Sequence, residues 1–336
     1  MYEKLVVVTR KTRLEALIEK FNTRMQAKFF IEHSGGNFSE YEEEDRNYQR
    51  ALDEIRKQTK IGLKVQLIER SLLPTHTFVS SDLIVALGQD GLVANTAKYV
   101  GAQPIIGVNP DPIRYDGLLV PILPSQVGRY LDDVLESRAL SQAVTLGEVE
   151  LQDGQRMLAF NDFFIGAKTH VSARYKLQYH EISEGQSSSG VIVSTGAGST
   201  GWMSSVFNMA AKVTEFAGGK QFGQRKMQWN ESTLMFVVRE PFVSKHSTAE
   251  LVAGYIEDGN ELVIESNMTG EGTIFSDGVE SDFIAFNAGA TARIRRAKQQ
   301  ARLIVPFRNS DREKPNCANE SRTLSGSCRS VSKSSP

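Results

Sequence analysis

An acidic residue inside a glycine turn is the first feature of this sequence that could do chemistry. The turn Gly88-Gln89-Asp90-Gly91 follows an apolar run, Asp82–Leu87, and precedes a helical pattern from Leu92 to Tyr99. A glycine turn between a strand and a helix presents backbone N–H groups that favour phosphate. A carboxylate suits such a place if a metal ion lies beside it, or if it faces a hydroxyl that attacks the phosphate. Asp90 is therefore a candidate catalytic base, and an Asp-Gly turn without chemistry is the alternative.

An amide and a carboxylate stand side by side further along the chain. Asn161 and Asp162 follow the predicted strand Met157–Phe160. Together they suit the hydroxyl groups of a ribose or the edge of a base. A plain Asx turn is the alternative interpretation.

A third candidate is a loop rich in glycine and hydroxyl groups. It runs from Val193 to Trp202, after a strand and before a helix, and resembles a second anion cradle. It lacks the Gly-Lys-Ser/Thr ending of a P-loop. A flexible connection is the alternative, but a tryptophan directly after the loop favours a packed, functional segment.

Residues 1–140 carry the pattern of an α/β domain. Apolar runs alternate with amphipathic stretches, which predicts a parallel sheet with right-handed crossovers. The acidic run Glu42–Asp45 is interpreted as a solvated loop and helix start rather than a metal site. The predicted elements are the strand Leu5–Thr9, the helix Lys11–Met25, a helix with Tyr48, Leu52 and Ile55 on one face, the strands Leu63–Ile68, Asp82–Leu87 and Pro104–Asn109, and the helix Gln126–Leu135.

Residues 141–306 change to short alternating strands, which predicts a second, mainly antiparallel β domain. One helix, Trp202–Phe216, interrupts it. Residues 307–336 are rich in Ser, Asn, Arg and Lys and are predicted to be disordered. The predicted strands are Val144–Leu151, Met157–Ile165, Ala173–Tyr179, Gly190–Ser194, Leu234–Val238, Glu261–Glu265, Thr273–Ser276, Phe283–Phe286 and Ala292–Ile294.

Composition narrows the class of protein. With 336 residues, 40% of them hydrophobic, the chain can form two domains with proper cores, and its net charge of −1 gives no reason to expect nucleic acid or membrane partners. No apolar run is long enough for a bilayer, and the first strand begins too early to leave room for a signal peptide. Both cysteines, Cys317 and Cys328, lie in the tail, so we expect no disulfide framework and a cytoplasmic location.

Taken together and in order, the three motifs resemble those of the NAD kinase family, in particular the mitochondrial type and its bacterial relatives. The family carries a Gly-Gly-Asp-Gly motif, an Asn-Glu or Asn-Asp pair and a threonine-rich glycine loop. The resemblance runs from about Leu5 to Pro306. Further agreement lies in Lys11–Arg13, Ile106–Asn109, Asp111-Pro112 with Arg114, Phe164–Gly166, Ser188–Gly190 and Arg239–Pro241.

The resemblance implies a fold and an activity. The fold is an N-terminal Rossmann-like parallel-sheet domain followed by a mainly antiparallel, β-sandwich-like domain, with the active site between them. The activity is Mg²⁺-dependent transfer of the γ-phosphate of ATP to the 2′-hydroxyl of the adenosine ribose of NAD, giving NADP. A homo-oligomer is also implied.

The resemblance also assigns roles to residues. Asp90 is the general base, and no metal ligand is assigned. Substrate and nucleotide binding fall to Gly88, Gly91, Asn109, Asn161, Asp162, Arg174, Thr195, Gly198, Ser199, Thr200, Trp202 and Ser205.

The chain departs from the family pattern at several positions, of which Gln89 and Leu92 lie at the phosphate turn. Gln89 replaces the second glycine, Leu92 replaces a threonine, and Val279 replaces a common glutamine. Ser189 stands where the bacterial type often has aspartate, although the mitochondrial type shares the serine. Two alternatives therefore stay open: a kinase of the same fold that acts on a sugar, nucleoside or lipid hydroxyl, and a catalytically silent protein that binds NAD or NADP.

Overall fold

The computed structural model describes residues 2–59, 63–220 and 222–306. The predicted disorder of the tail, with Cys317 and Cys328, lies outside the described residues. The helices and strands before residue 140 are β1 (Lys4–Thr9), α1 (Arg13–Phe21), α2 (Arg24–His33), α3 (Phe38–Gln58), β2 (Lys64–Glu69), β3 (Asp82–Leu87), α4 (Asp90–Ala97), β4 (Pro104–Val108) and α5 (Val127–Leu135), with 3-10 helices at Arg70–Thr75 and Pro124–Gln126.

The second half of the chain is mostly strand, with one helix. Its elements are β5 (Ser141–Leu151), β6 (Arg156–Ala159), β7 (Asp162–Ala167), β8 (Ala173–Tyr179), β9 (Ile182–Ser188), β10 (Val191–Ser194), α6 (Trp202–Phe216), β11 (Leu234–Val238), β12 (Ala253–Ile256), β13 (Leu262–Ser266), β14 (Gly272–Ser276), β15 (Phe283–Ala285) and β16 (Thr291–Ile304), with a 3-10 helix at Gly198–Thr200.

The first sheet begins as a parallel sheet covered on both faces. Strands β2, β1, β3 and β4 lie side by side and run parallel. Residues of α3 and α5 pack with Leu5 and Val7 on one face, while α4 packs with Val6 and Val8 on the other. Because both faces are covered, β3 is buried at all six positions, which explains its continuous apolar sequence.

Strand β16 carries this sheet onward into antiparallel strands. Its first residues, Thr291–Ile294, pair with β13, and its last residues, Arg302 and Leu303, pair in parallel with β4. The prediction of a strand confined to Ala292–Ile294 was therefore too short. The missed part is rich in Arg, Lys and Gln, which alternate with the buried residues Ala297, Ala301 and Leu303.

The second sheet has six strands in the order β12-β11-β10-β7-β14-β15, all antiparallel. Its inner face packs against β5, β8, β13 and β16 of the first sheet, around large buried side chains such as Phe163, Tyr175 and Phe236. The predicted fold class, a parallel α/β part followed by a sandwich-like antiparallel part, is confirmed. The boundary between residues 140 and 141 stays a prediction.

The predicted helix Lys11–Met25 was wrong, because the chain forms two helices there. Asn22 ends α1 in a left-handed conformation with φ 63°, and Thr23 begins α2 by accepting a hydrogen bond from the N–H of Gln26. Thr12 caps α1 in the same way. Two capping threonines, each followed by its own short apolar face, favour two helices over one.

The acidic run was also misplaced. Glu42–Asp45 lies inside α3, and the side chain of Glu44 is only 2% exposed because it pairs with Arg10 and Arg13. Burial opposes ionisation of Glu44, but the hydrogen bonds from Arg13 and Arg10 outweigh it, so its pKa lies below the ordinary value. One of these acids is therefore a structural anchor of the N-terminal helices.

Strands β9 and β12 were missed. β9 has a polar sequence, and β12 is an edge strand with only one buried position. Across the described ranges, every helix is too short or too polar to cross a membrane.

Candidate active site

The three predicted motifs meet at one cavity. It has a volume of about 390 Å³ and lies between the first turn of α4 and the loops that precede β7 and α6. Its walls are formed by Asp90, Gly91, Leu118, Leu119, Phe160, Asn161, Asp162, Ala197, Gly198, Thr200, Gly201, Trp202, Trp229, Asp277 and Gly278.

The carboxylate of Asp90 is held by two backbone N–H groups. Asp90 is the first residue of α4 and is partly buried. One of its oxygens accepts the N–H of Leu119 at 2.8 Å, and the other accepts that of Leu118 at 3.2 Å. A carboxylate has further acceptor positions, so a third hydrogen bond from a bound hydroxyl fits its chemistry.

Gly107 in β4 allows the loop that carries Leu118 and Leu119 to lie close to the sheet. A Cβ atom at Gly107 would lie 2.0 Å from the carbonyl oxygen of Leu119. Because that oxygen belongs to the backbone, no change of side-chain rotamer could relieve the contact. The glycine in β4 therefore helps to place the two N–H groups that orient Asp90.

Of the residues next to Asp90, some pack into the core and others border open space. Leu92 is buried in the apolar core, and its Cδ2 would lie 2.9 Å from a Cβ placed on Gly88. Gly91 has no atom within 4 Å of such a Cβ, and Gln89 is exposed. Leu92 thus fills the core beneath the turn, while Gly91 leaves room on the cavity side.

A second aspartate, Asp277, shapes the Asn161–Asp162 turn. Its carboxylate accepts the N–H of Asn161 at 2.6 Å and that of Phe160 at 3.1 Å, and its own N–H donates to the carbonyl of Asp162. These bonds end β6 and begin β7. The predicted continuous strand Met157–Ile165 was therefore wrong.

Burial changes the acidity of both aspartates in this turn. The pKa of Asp162 rises to about 7, first because the side chain is buried and second because Asp277 is negatively charged. Burial also raises the pKa of Asp277, although Lys98 and the N–H groups of Asn161 and Phe160 oppose the rise. Asp162 is therefore poised to change charge near neutral pH.

The glycine loop is packed onto the same turn. Thr195 donates its hydroxyl to the carbonyl of Phe160 at 2.6 Å and its N–H to that of Asn161 at 2.9 Å. A Cβ on Gly198 would lie 2.1 Å from the carbonyl oxygen of Asn161. The glycine is thus required by close packing, which supports the prediction of a packed segment over the alternative of a flexible connection.

Trp202 links this cavity to a second one. Its ring stacks on Phe164 with centroids 5.7 Å apart, and the guanidinium of Arg239 lies 5.5 Å from the ring centroid. The second cavity, of about 610 Å³, lies against Trp202, Phe164 and Arg239 and also against Lys168. An elongated ligand could pass along Trp202 from one cavity to the other.

Six predicted site residues do not line the first cavity. Asn109 hydrogen-bonds Tyr115 and Asp111 within the loop, Ser199 donates to the carbonyl of Gly196, and Arg174 is exposed on β8. These three, together with Gly88, Thr195 and Ser205, are absent from its lining, whereas Asp90, Gly91, Asn161, Asp162, Gly198, Thr200 and Trp202 are brought together.

Sequence reasoning missed the part that Asp277 plays in this site. It follows the predicted strand Thr273–Ser276 and precedes Gly278, so it repeats the strand-then-Asp-Gly pattern of Asp90. That repetition was the signal available. Leu118 and Leu119 act through their backbone, which leaves no trace in side-chain type.

The cavity is acidic. Its described lining includes the carboxylates of Asp90 and Asp162 but no lysine or arginine. Within the ranges that the structure describes, no three His, Cys, Asp or Glu side chains form a metal-binding group. Such a site can accept hydrogen bonds from hydroxyls, and it needs an added cation to hold a phosphate chain.

Comparisons with known proteins show similarity to NAD kinases in sequence and in fold. No known family model matches the chain. It is 26% identical over 270 residues to the rat mitochondrial NAD kinase 2, covering 63% of this chain and 62% of that protein, and 26% identical to the human protein, covering 60% of it. A stretch of 130 residues is 29% identical to an NAD kinase of Alcanivorax borkumensis, covering 36% of this chain and 42% of that protein.

The resemblance to NAD kinases is confirmed. The chain spans less than two thirds of the length of the mammalian NAD kinases it matches. Solved NAD kinases share the fold: an Archaeoglobus fulgidus enzyme in complex with ATP has a TM-score of 0.52 at 15% identity, covering 90% of this chain and 93% of that one. A yeast NADH kinase complexed with NADH has a TM-score of 0.54 at 14% identity, covering 92% and 85%.

Proposed function

We propose that this chain is an NAD kinase that transfers the γ-phosphate of ATP to the 2′-hydroxyl of the adenosine ribose of NAD, giving NADP. The observation that carries the proposal is the meeting of Asp90, the Asn161–Asp162 turn and the glycine loop at one cavity. The similarity to NAD kinases along the chain supports the choice of substrates.

Asp90 acts as the base that orients the attacking hydroxyl. Two N–H groups hold its carboxylate, so its remaining acceptor positions point in a fixed direction. In phosphoryl transfer, most of the catalytic effect comes from positioning and from stabilising charge. A positioned base typically contributes a further factor of about 10²–10⁴.

Asn161, Asp162 and Trp202 bind the dinucleotide in this proposal. An amide with donors and an acceptor beside a carboxylate can hold ribose hydroxyls and a base edge. The Trp202 ring offers a stacking surface between the two cavities, and Arg239 beside it supplies a positive charge for a pyrophosphate. Thr200 and Gly91 leave backbone and hydroxyl groups open toward the phosphates.

Mg²⁺ completes the proposed chemistry. The acidic cavity would repel ATP alone, and Mg²⁺ commonly binds through one or two carboxylates together with substrate phosphates. Asp90 and Asp162 provide oxygen ligands of the right kind on the cavity wall. When bound, the ion would neutralise charge on the transferred phosphate.

The decisive experiment is NADP formation by the purified protein with ATP, Mg²⁺ and NAD, followed with an NADP-specific dehydrogenase. We expect NADP to accumulate only when all three are present. ADP release that continues without NAD, in a screen of sugars, nucleosides and lipids, would favour a different acceptor. Saturable NAD binding by calorimetry without turnover would favour the silent binding protein.

A cytoplasmic location and a homo-oligomer remain part of the proposal. Edge strands such as β12 and β15 offer surfaces for self-association. The mammalian relatives are named as mitochondrial, so the location of this protein has to be measured. Cell fractionation and sedimentation of the purified protein test these two points.

A further inference from the structure

A buried lysine lies between the two halves of the site, which are the helix that carries Asp90 and the turn that contains Asn161 and Asp162. Lys98 directly follows α4, and its side chain is 3% exposed. Its ammonium group donates to the hydroxyl of Ser276 at 2.8 Å. The same group lies 3.9 Å from a carboxylate oxygen of Asp277 and 3.8 Å from one of Asp282.

The lysine stands at one end of the helix that carries Asp90 at the other. Helix α4 has eight residues, so its ends are separated by about 12 Å. Asp277, beside the ammonium group, holds the N–H groups of Phe160 and Asn161. A continuous path therefore runs from Asp90 along α4 to Lys98, and from there through Asp277 to Asn161.

A gain in stability does not explain why a charged lysine is buried beside two aspartates. Burial disfavours the charged form of Lys98 and lowers its pKa, although Asp277 and Asp282 oppose the shift. Replacing a buried ion pair by apolar side chains is often neutral or stabilising. A charge at this position is better explained by the geometry it imposes, because only a hydrogen-bonding cation can contact Ser276 and both carboxylates together.

We propose that Lys98 is a positioning residue that fixes the separation between Asp90 and the Asn161–Asp162 turn. The inference rests on the proposed NAD kinase function for its kinetic consequence. A change in that separation leaves each binding surface intact but misaligns the hydroxyl and the phosphate. A misalignment of this kind, on the order of 1 Å, can cost about 10²-fold in rate.

The kinetic test compares Lys98→Met with Lys98→Arg and with Lys298→Met. Lys298 is an exposed lysine on the wall of a neighbouring cavity that Lys98 also lines. We expect Lys98→Met to lower kcat by about 10²-fold, while the dissociation constants of ATP and NAD, measured separately by calorimetry, change little. Lys98→Arg should recover part of kcat, and Lys298→Met should match the wild type.

Hydrogen exchange provides a readout that does not depend on activity. The amides of Leu118 and Leu119 report on Asp90, and those of Phe160 and Asn161 report on Asp277. We expect Lys98→Met to speed exchange at both pairs of amides. The effect at Leu118 and Leu119 is the more informative, because these amides bond to Asp90, at the end of α4 opposite to Lys98. If exchange changes at one pair only, or if kcat stays at the wild-type value, Lys98 does not link the two halves.

Ser276→Ala serves if Lys98→Met does not fold. It removes the hydroxyl that accepts the Lys98 hydrogen bond and leaves the buried charges paired. We expect faster exchange at both pairs and a smaller fall in kcat, and unchanged exchange overturns the inference. A wild-type protein that forms no NADP refutes the proposed function instead, and the exchange data still decide the role of Lys98.

Discussion

Two Asp-Gly pairs hold backbone in the same manner but lie in different surroundings. Asp90 accepts the N–H groups of Leu118 and Leu119, and Asp277 accepts those of Phe160 and Asn161. Each pair follows a buried strand of its own sheet. Both residues line the cavity, and the difference lies in their charged partners: the side chain of Asp277 is 1% exposed and pairs with Lys98, whereas Asp90 contacts only the two backbone N–H groups among the interactions of the described residues.

The comparison shows that the same local pattern, a strand followed by Asp-Gly, can place a carboxylate for catalysis or for holding the fold. A carboxylate on a cavity wall that keeps spare acceptor positions can orient a substrate hydroxyl. A buried carboxylate beside an ammonium group has its charge compensated within the protein, so its replacement should harm folding first. Two predictions test this division directly, and two more test the Asn161–Asp162 turn that Asp277 holds.

Asp90→Asn should have the largest effect, and the effect should be on activity. We expect NADP formation to fall by about 10²–10⁴-fold, because an amide cannot act as the base. The melting temperature should fall only slightly: asparagine keeps one acceptor oxygen for the N–H of Leu119, and the N–H of the exposed Leu118 can bond to water instead. Asp116→Asn is the matched control and should keep full activity, because Asp116 is an exposed acid in the loop that carries Leu118 and Leu119. Equal turnover by Asp90→Asn would contradict the assignment of the base.

Asp277→Asn should reverse that pattern. Removing the charge leaves Lys98 with only partial compensation, and breaking a buried pair typically costs about 3–5 kcal/mol of unfolding free energy. Urea denaturation measures the loss. Asp258→Asn provides the control, because Asp258 pairs with Arg296 at an exposed position where ion pairs contribute little. Equal stability of the two variants would mean that Asp277 is not the anchor of the turn.

Gly198→Ala tests the close packing between the glycine loop and the Asn161 turn. The added Cβ would lie 2.1 Å from the carbonyl oxygen of Asn161, so the backbone must move, at a cost of about 1–3 kcal/mol. At Gly201 the nearest atom would lie 3.4 Å from a Cβ, an ordinary contact. We therefore expect thermal unfolding to show a lower melting temperature for Gly198→Ala than for Gly201→Ala.

The pKa of Asp162 predicts a smaller, pH-dependent effect. Its folded pKa of about 7 lies above the unfolded value of about 3.9, so the folded state binds more protons between these values. The contribution of Asp162 to stability is therefore greatest below about pH 4 and falls as the pH rises toward 7, by about 1.4 kcal/mol per pH unit in the middle of that range.

Denaturation of the wild type and of Asp162→Asn at pH 5 and pH 6 isolates this contribution. The asparagine variant should lose less stability than the wild type between the two values. Identical losses would mean that Asp162 titrates in its ordinary range.

Much of the α/β half could be predicted because its signals are local. The buried strand Asp82–Leu87 shows as a continuous apolar run, and the glycine turn and helix after it follow from short-range turn chemistry. One error, the single helix Lys11–Met25, overlooked a local capping signal at Thr23, whereas two others arose where a side chain's partner lies elsewhere. Glu44 resembles a solvated acid until Arg10 and Arg13 are seen around it, and β6 and β7 resemble one strand until Asp277 separates them.

The sequence alone determined the class of fold, the three candidate motifs and their order along the chain, since apolar period and turn residues act between near neighbours. Only the tertiary structure decided which of those residues share a cavity, and which acid is open to a ligand rather than buried. Lys98 and Ser276 are 178 positions apart, and no local pattern relates them. Their contact depends on two sheets being packed together, and it places α4, with Asp90 at its other end, beside the turn that holds Asn161.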